Sequence, residues 1–249
     1  MKITIKITLK KKILPPPPIN VSEVIKKASS LPTIKIDRKE YIRKNFENTK
    51  YANKIGSIIN DGPIKAGVPL EYINKLAKKS IANETLKVSA ISFAAGVPGV
   101  FAMAATISTD MAQFYGHILR ISQKLAYLYG IEDIETLSDD GSENTYILFL
   151  GVMFGVQQAN NALKAILIPT QAHLAKHIAN QALTKGTIYP IIKETAKILG
   201  IRMTKQIFAK GVSKTIPIVG GISSGGLSLI MFKSMAGRLH KNLQELTTS

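Results

Sequence analysis

Apolar residues recur at helical spacing through most of this chain, and only its first ten residues alternate. In Met1–Lys10, Ile3, Ile5, Ile7 and Leu9 fall on one side and Lys2, Thr4, Lys6, Thr8 and Lys10 on the other, the period of a β-strand. Lys10-Lys11-Lys12 and then Pro15–Pro18 end it, and four consecutive prolines make a stiff polyproline spacer. One strand cannot fold alone, so this arm either stays disordered or adds to a sheet in a partner. No apolar run follows the first lysines, so the start does not read as a secretory signal.

Beyond Pro32 the period is that of helices. Asp37 is placed to cap one running to about Ile59, with Ile42, Phe46, Ile55 and Ile59 on its apolar side. Asp61-Gly62-Pro63 breaks it. Pro69 suits the first turn of the next helix, whose stripe is Leu70, Ile73, Leu76, Ala77 and Ile81. A small-residue helix is expected from about Glu84 to Ala95, punctuated by Gly96-Val97-Pro98-Gly99.

The longest pattern spans Val100–Tyr129, roughly 45 Å at 1.5 Å per residue. Ile107, Met111, Phe114, Ile118, Ile121, Leu125 and Leu128 recur at spacings of four and three. Ala112, Tyr115, Leu119 and Ala126 widen the stripe to about 200°, which calls for burial on more than one side. Thr106, Gln113, His117, Arg120 and Lys124 occupy the remainder, with Asp110 at the border, and Gly130 fits a left-handed cap. Further helices are expected at Asn144–Ile166, Pro169–Leu183 and Pro190–Ala209. The apolar stretch Thr215–Phe232 should run on into a basic amphipathic tail ending near Leu246. The fold class is therefore all-α: a multi-helix bundle around a long central helix at about 100–129. A basic, Pro-rich arm (1–32) precedes a helical domain (33–249).

Charge adds a second layer. The 249 residues carry 33 Lys+Arg against 16 Asp+Glu, a net charge of +17. It is unevenly placed: Met1–Lys87 is +12, Val88–Ile192 is −2 and Lys193–Ser249 is +7. Anionic headgroups and nucleic acid both attract such basic flanks. Only charge supports nucleic acid, since no recognition motif is present and aromatics are 6% of the chain.

Three stretches carry no charge: Val88–Thr109, Asn144–Leu163 and Thr215–Phe232. Their lengths suit membrane spans, but Gly96, Pro98 and Gly99 interrupt the first and Gln157-Gln158-Ala159-Asn160-Asn161 the second. Gly220, Gly221, Gly225 and Gly226 dilute the third, so buried core helices are the better reading. Gly151-x-x-x-Gly155 and Gly221-x-x-x-Gly225 would allow close helix approach in either setting.

Candidate chemistry is sparse. With no Cys there is no thiolate ligand, nucleophile or disulfide. The acidic run Glu132–Glu143 fails as a calcium loop, because alignment on Gly141 places Thr136 first and Ile147 last. His173 and His177 stand one turn apart, a zinc spacing, but Leu174 occupies the position of the metalloprotease Glu. Gly221-Ile222-Ser223-Ser224-Gly225 fits the nucleophile-elbow pattern around Ser223. Only His240 and Glu245 follow, in the wrong order, and few strands precede it. Asp110, Gln113, His117 and Arg120 form a polar network on the central helix, read chiefly as inter-helix bonding. Asp110 with His117 is the alternative acid–base pair. No metal ligand set or cofactor motif is assigned. The residues assigned to membrane or anion binding are Lys10, Lys11, Lys12, Lys26, Lys27, Lys78, Lys79, Lys233, Arg238 and Lys241.

Two blocks carry a family likeness. Ala95-Gly96-Val97-Pro98-Gly99, Thr109-Asp110, Gln113, Arg120 and Leu128-Tyr129-Gly130 make the first; Lys214–Gly221 with Gly225-Gly226 makes the second. Over about residues 65–245 the chain resembles the EcsC family of bacterial proteins. That resemblance implies a mostly helical domain, of a family encoded beside an ABC transporter in some bacteria; it supplies no established activity and no catalytic residue. The expectation is a non-enzymatic, cytoplasmic protein peripherally bound to an anionic lipid surface or to a membrane protein such as a transporter. The competing expectation is a hydrolase or metal-dependent enzyme built on Asp110/His117, His173/His177 or Ser223.

Overall fold

The computed structural model describes residues 17–94, 109–131, 142–167, 188–215 and 224–248. The alternating arm, the Gly96–Gly99 turn, the acidic loop and the helix expected at Pro169–Leu183 lie outside them. Among the described residues the chain forms nine α-helices, one 3-10 turn and no strand.

The first helix, α1 (Val21–Ser29), lies inside the segment grouped with the arm. The Asn20 side chain caps it by accepting from the Glu23 amide, and Val21, Val24, Ile25 and Ala28 put an apolar stripe into the core. Just before it, the Ile19 amide donates to Thr204 Oγ1 at 2.9 Å, pinning this stretch across a later helix. Residues 17–29 are thus part of the folded body.

Asp37 caps α2 (Arg38–Phe46) as expected, accepting from the Glu40 amide at 2.7 Å. This helix stops at Phe46 instead of reaching Ile59. Thr49 Oγ1 donates to the Phe46 carbonyl at 2.8 Å and accepts from the Tyr51 amide at 3.2 Å, turning the chain. The turn brings Tyr51 against Phe46 and Tyr72, with ring centroids 6.5 and 5.0 Å away. The 3-10 turn Ala52–Lys54 leads into α3 (Ile55–Asp61).

Helix α4 (Leu70–Ala94) is continuous, so no boundary falls at Glu84. Its neighbour α5 (Thr109–Leu128) is the central element: α1 packs on it from one direction and α4 and the C-terminal helix from another. Ile118, Leu119, Ile121, Leu125, Ala126 and Leu128 are all buried there. Gly130, at φ 78°, closes α5 as expected, with its amide on the Tyr127 carbonyl and the Ile131 amide on that of Ala126. A Cβ on Gly62, itself at φ 87°, would come within 2.8 Å of the Gly130 Cα, so two left-handed glycines pack backbone to backbone.

The helix expected at Asn144–Ile166 is two, α6 (Ser142–Met153) and α7 (Gln157–Leu167). Gly155 at φ 72° separates them, and the Val156 amide closes the cap on the Gly151 carbonyl at 2.8 Å. The two glycines of Gly151-x-x-x-Gly155 therefore do different things. A Cβ on Gly151 would lie 2.4 Å from Ala159 Cβ and 2.6 Å from Thr195 Cγ2, so this glycine admits two neighbouring helices. Helices α8 (Ile188–Thr215) and α9 (Ser224–Thr248) complete the bundle. No helix among the described residues is long and apolar enough to cross a membrane.

Candidate functional site

Two features gather the polar chemistry of the bundle, one inside and one on its surface. The inner one centres on Glu84, whose residue is 0% exposed in the middle of α4. Its Oε1 accepts from His117 Nδ1 at 2.7 Å and from Arg120 Nε at 3.1 Å, and its Oε2 from Lys124 Nζ. The three donors stand three and four residues apart on α5, so one helix face meets one carboxylate. Burial pushes the Glu84 carboxyl up, but the bonds from His117 and Lys124 and the nearby cationic charges outweigh it and hold the group down at about 2. Burial also depresses Lys124; its bond to Glu84 opposes this shift, while Arg120 and Lys87 reinforce it.

This arrangement fastens α4 to α5 and fixes their antiparallel register, which the Tyr129 hydroxyl extends by donating to Asn74 Oδ1 at 2.6 Å. His117 and Arg120, expected in an inter-helix network, are in one, and its hub is Glu84. Gln113 is half-buried on the same helix without joining the cluster, and the Asp110 side chain lies outside the described residues. A signal for Glu84 was present: Ile73, Ala77, Ile81, Glu84 and Val88 follow one another at four, four, three and four residues, placing a carboxylate on an apolar stripe.

The outer feature is the solvent side of the paired helices α4 and α9. On α4, Lys75, Lys79, Ala82 and Leu86 are exposed and share an arc of about 60°, flanked by exposed Lys78 and Lys87. The acidic residues of α4 are Glu71, exposed in its first turn one turn before Lys75, and the buried Glu84. On α9, Ile230 and Lys241 are exposed on one such arc, with Lys233 and Arg238 at its margins. No acidic residue occurs on α9 before Glu245, which lies 3.8 Å from Lys241. Leu86 and Ile230 are 68% and 61% exposed, the two most exposed large hydrophobic side chains among the described residues.

Helix direction puts these two at the same level along the pair. Glu84 lies against Arg120 and Asn74 against Tyr129, so α4 and α5 run antiparallel. Phe114 meets Phe232 and Tyr129 meets His240, at 6.3 and 6.0 Å between ring centroids, so α5 and α9 run parallel. The C-terminal end of α4 and the N-terminal ends of α5 and α9 therefore coincide.

The structure thus brings Lys78, Lys79, Lys233 and Lys241 onto one helix pair and separates the other basic candidates from them. Lys26 and Lys27 lie on α1, across α5, where Lys26 approaches Glu143 at 3.9 Å. Arg238 is drawn inward, its Nη1 donating to the Met153 carbonyl at the end of α6 at 2.6 Å. Arg202 caps the Phe154 carbonyl beside it. Lys10, Lys11, Lys12, His173, His177 and Ser223 lie outside the described residues. Among those described, no three His, Asp or Glu side chains converge as a metal site. Lys75, Leu86, Lys87 and Ile230 carry no distinguishing signal in the sequence, because each looks ordinary until its helix face is known to be open.

No protein-family model, curated protein or solved structure matches this chain.

Proposed function

We propose that this protein is a non-enzymatic peripheral protein that docks on an anionic lipid surface, at the cytoplasmic face of a membrane, through the α4–α9 helix pair. The observation that carries this reading is the set of exposed cations Lys75, Lys78, Lys79, Lys87 and Lys233 on two packed helices, where Glu71 in the first turn of α4 is the one exposed carboxylate beside them. Each such lysine contributes about 1 kcal/mol near an anionic surface, so four or five in simultaneous contact suffice for reversible binding. The net charge of +17 adds long-range attraction. The exposed Leu86 and Ile230 favour lipid over a phosphodiester backbone, which offers aliphatic side chains nothing to enter. The resemblance to EcsC proteins points the same way, toward a membrane and its transporters.

The reading is tested by cosedimentation with vesicles containing phosphatidylglycerol, with neutral phosphatidylcholine vesicles and with duplex DNA. Binding to the first, little to the second, and release above about 0.5 M salt is expected, since the screening length there is only a few ångströms. Salt-sensitive binding to DNA without binding to either vesicle overturns it.

A further inference from the structure

The surface chemistry of the α4–α9 face is graded along its length. Lys75, Lys78 and Lys79 occupy the first part of the exposed α4 surface, and Leu86 with Lys87 lies about two turns further on. On α9 the order is reversed in sequence and the same in space: Ile230 precedes Lys233, and Lys241 follows more than two turns later. The antiparallel register fixed by Glu84 and Asn74 brings Leu86 and Ile230 to the same level. One half of this face therefore presents two large aliphatic side chains bordered by Lys87 and Lys233, while the other carries Lys75, Lys78, Lys79 and Lys241 with Glu71 and Glu245 among them. Beneath the aliphatic half Phe114 and Phe232 pack edge to face, so the exposed aliphatics stand on a filled aromatic layer.

Resting on the docking proposed above, we infer that Leu86 and Ile230 are a pair of hydrophobic anchors on the lateral face of the helix pair that enter the bilayer at the headgroup–acyl boundary. Lys87 and Lys233 stay at the phosphates, and Lys75, Lys78 and Lys79 steer the approach. The occupant is an anionic bilayer because it alone offers acyl chains and phosphates in that vertical order. Lysines snorkel to the phosphate level while aliphatic side chains sit below it. A phosphorylated protein or a nucleic acid would satisfy the lysines and leave Leu86 and Ile230 in water. The flank of α8, where Ile201 is 38% exposed among Lys193, Glu194, Lys197 and Lys205, holds one less exposed aliphatic among similar charges and serves as the internal comparison.

The chain contains no Trp, so one introduced indole reports depth without background. Leu86→Trp, Ile230→Trp and, for comparison, Ile201→Trp are each mixed with phosphatidylglycerol-rich vesicles carrying brominated acyl chains. The first two are expected to shift to the blue and be quenched, and the third to do neither. A Leu86→Ser, Ile230→Ser double variant, with its helical circular dichroism unchanged, is expected to bind these vesicles about tenfold or more weakly. Its remaining binding should be abolished by salt. Vesicle binding with no quenching at Leu86→Trp or Ile230→Trp, or with equal quenching at Ile201→Trp, overturns the anchors while leaving electrostatic docking intact. A blue shift that grows with protein concentration without lipid would make a second copy of the chain the occupant and overturns the inference. Failure of the unsubstituted protein to bind any vesicle removes the docking itself.

Discussion

Replacing Glu84 by Gln tests whether its buried carboxylate is the hub that joins α4 to α5. The substitution keeps shape and two polar atoms but removes the one negative charge facing Arg120 and Lys124, whose side chains are only 15% and 12% exposed. A carboxyl held at about 2 in place of its ordinary 4.5 contributes roughly 3 kcal/mol to stability at neutral pH. Removing one partner of a buried ion pair costs about 3–5 kcal/mol in general, so the two routes to the magnitude agree. At about 2–4 °C per kcal/mol for a chain of this size, Tm should fall by about 6–12 °C. The sign of the pH dependence follows from the lowered carboxyl. Glu84 contributes fully above pH 4.5 and loses that contribution as pH falls toward 2, when the folded protein must take up the proton it had excluded. Thermal melts of both proteins between pH 7 and pH 2.5 should therefore converge as the pH drops. A Glu84→Gln protein melting within 2 °C of the parent at pH 7, with a parallel acid profile, would refute the reasoning.

Other predictions follow from particular contacts. His240 lies buried beneath the α4–α9 face, its Nε2 3.4 Å from Asn74 Oδ1, and burial followed by the charge of Lys78 lowers its pKa. The folded protein thus resists protonation there. Stability should be full above pH 6.5 and decline below it, and His240→Gln should flatten a chemical-denaturation profile between pH 7 and 5. Gly151→Ala forces a methyl into Ala159 and Thr195 and should cost about 1–3 kcal/mol in urea denaturation; a neutral result would mean that α7 and α8 stand off further than the geometry gives.

The sequence made the central helix legible because its stripe is wide and unbroken from Met111 to Leu128, and Asp37 and Gly130 announced their ends by chemistry that does one thing. Elements without a distinct signal were lost. Val21, Val24, Ile25 and Ala28 form a stripe as regular as any, but they adjoin a lysine- and proline-rich arm whose composition masks it. Thr49 and Gly155 end helices through hydroxyl bonding and positive φ, and both residues also occur inside helices, so neither marks a break by identity. Glu84 resembled the first residue of a helix because acids favour first turns. Its three partners lie 33 to 40 residues further along, a separation no local pattern spans. The docking face was half visible. Lys78-Lys79 and Lys233 stand out as charges, but that they share an open surface with Leu86 and Ile230 depends on the antiparallel pairing of α4 with α9.

The central claim is that this helix pair, and not net charge at large, holds the protein on an anionic surface. Its most direct measurement is the vesicle affinity of a Lys75→Glu, Lys79→Glu, Lys233→Glu variant beside a Lys193→Glu, Lys197→Glu, Lys205→Glu variant of identical net charge. Phosphatidylglycerol vesicles in about 0.1 M salt leave a screening length near 10 Å, short enough to separate the two surfaces. The first variant should lose binding by about a hundredfold or more while the second keeps most of it. Equal losses in the two would contradict the account.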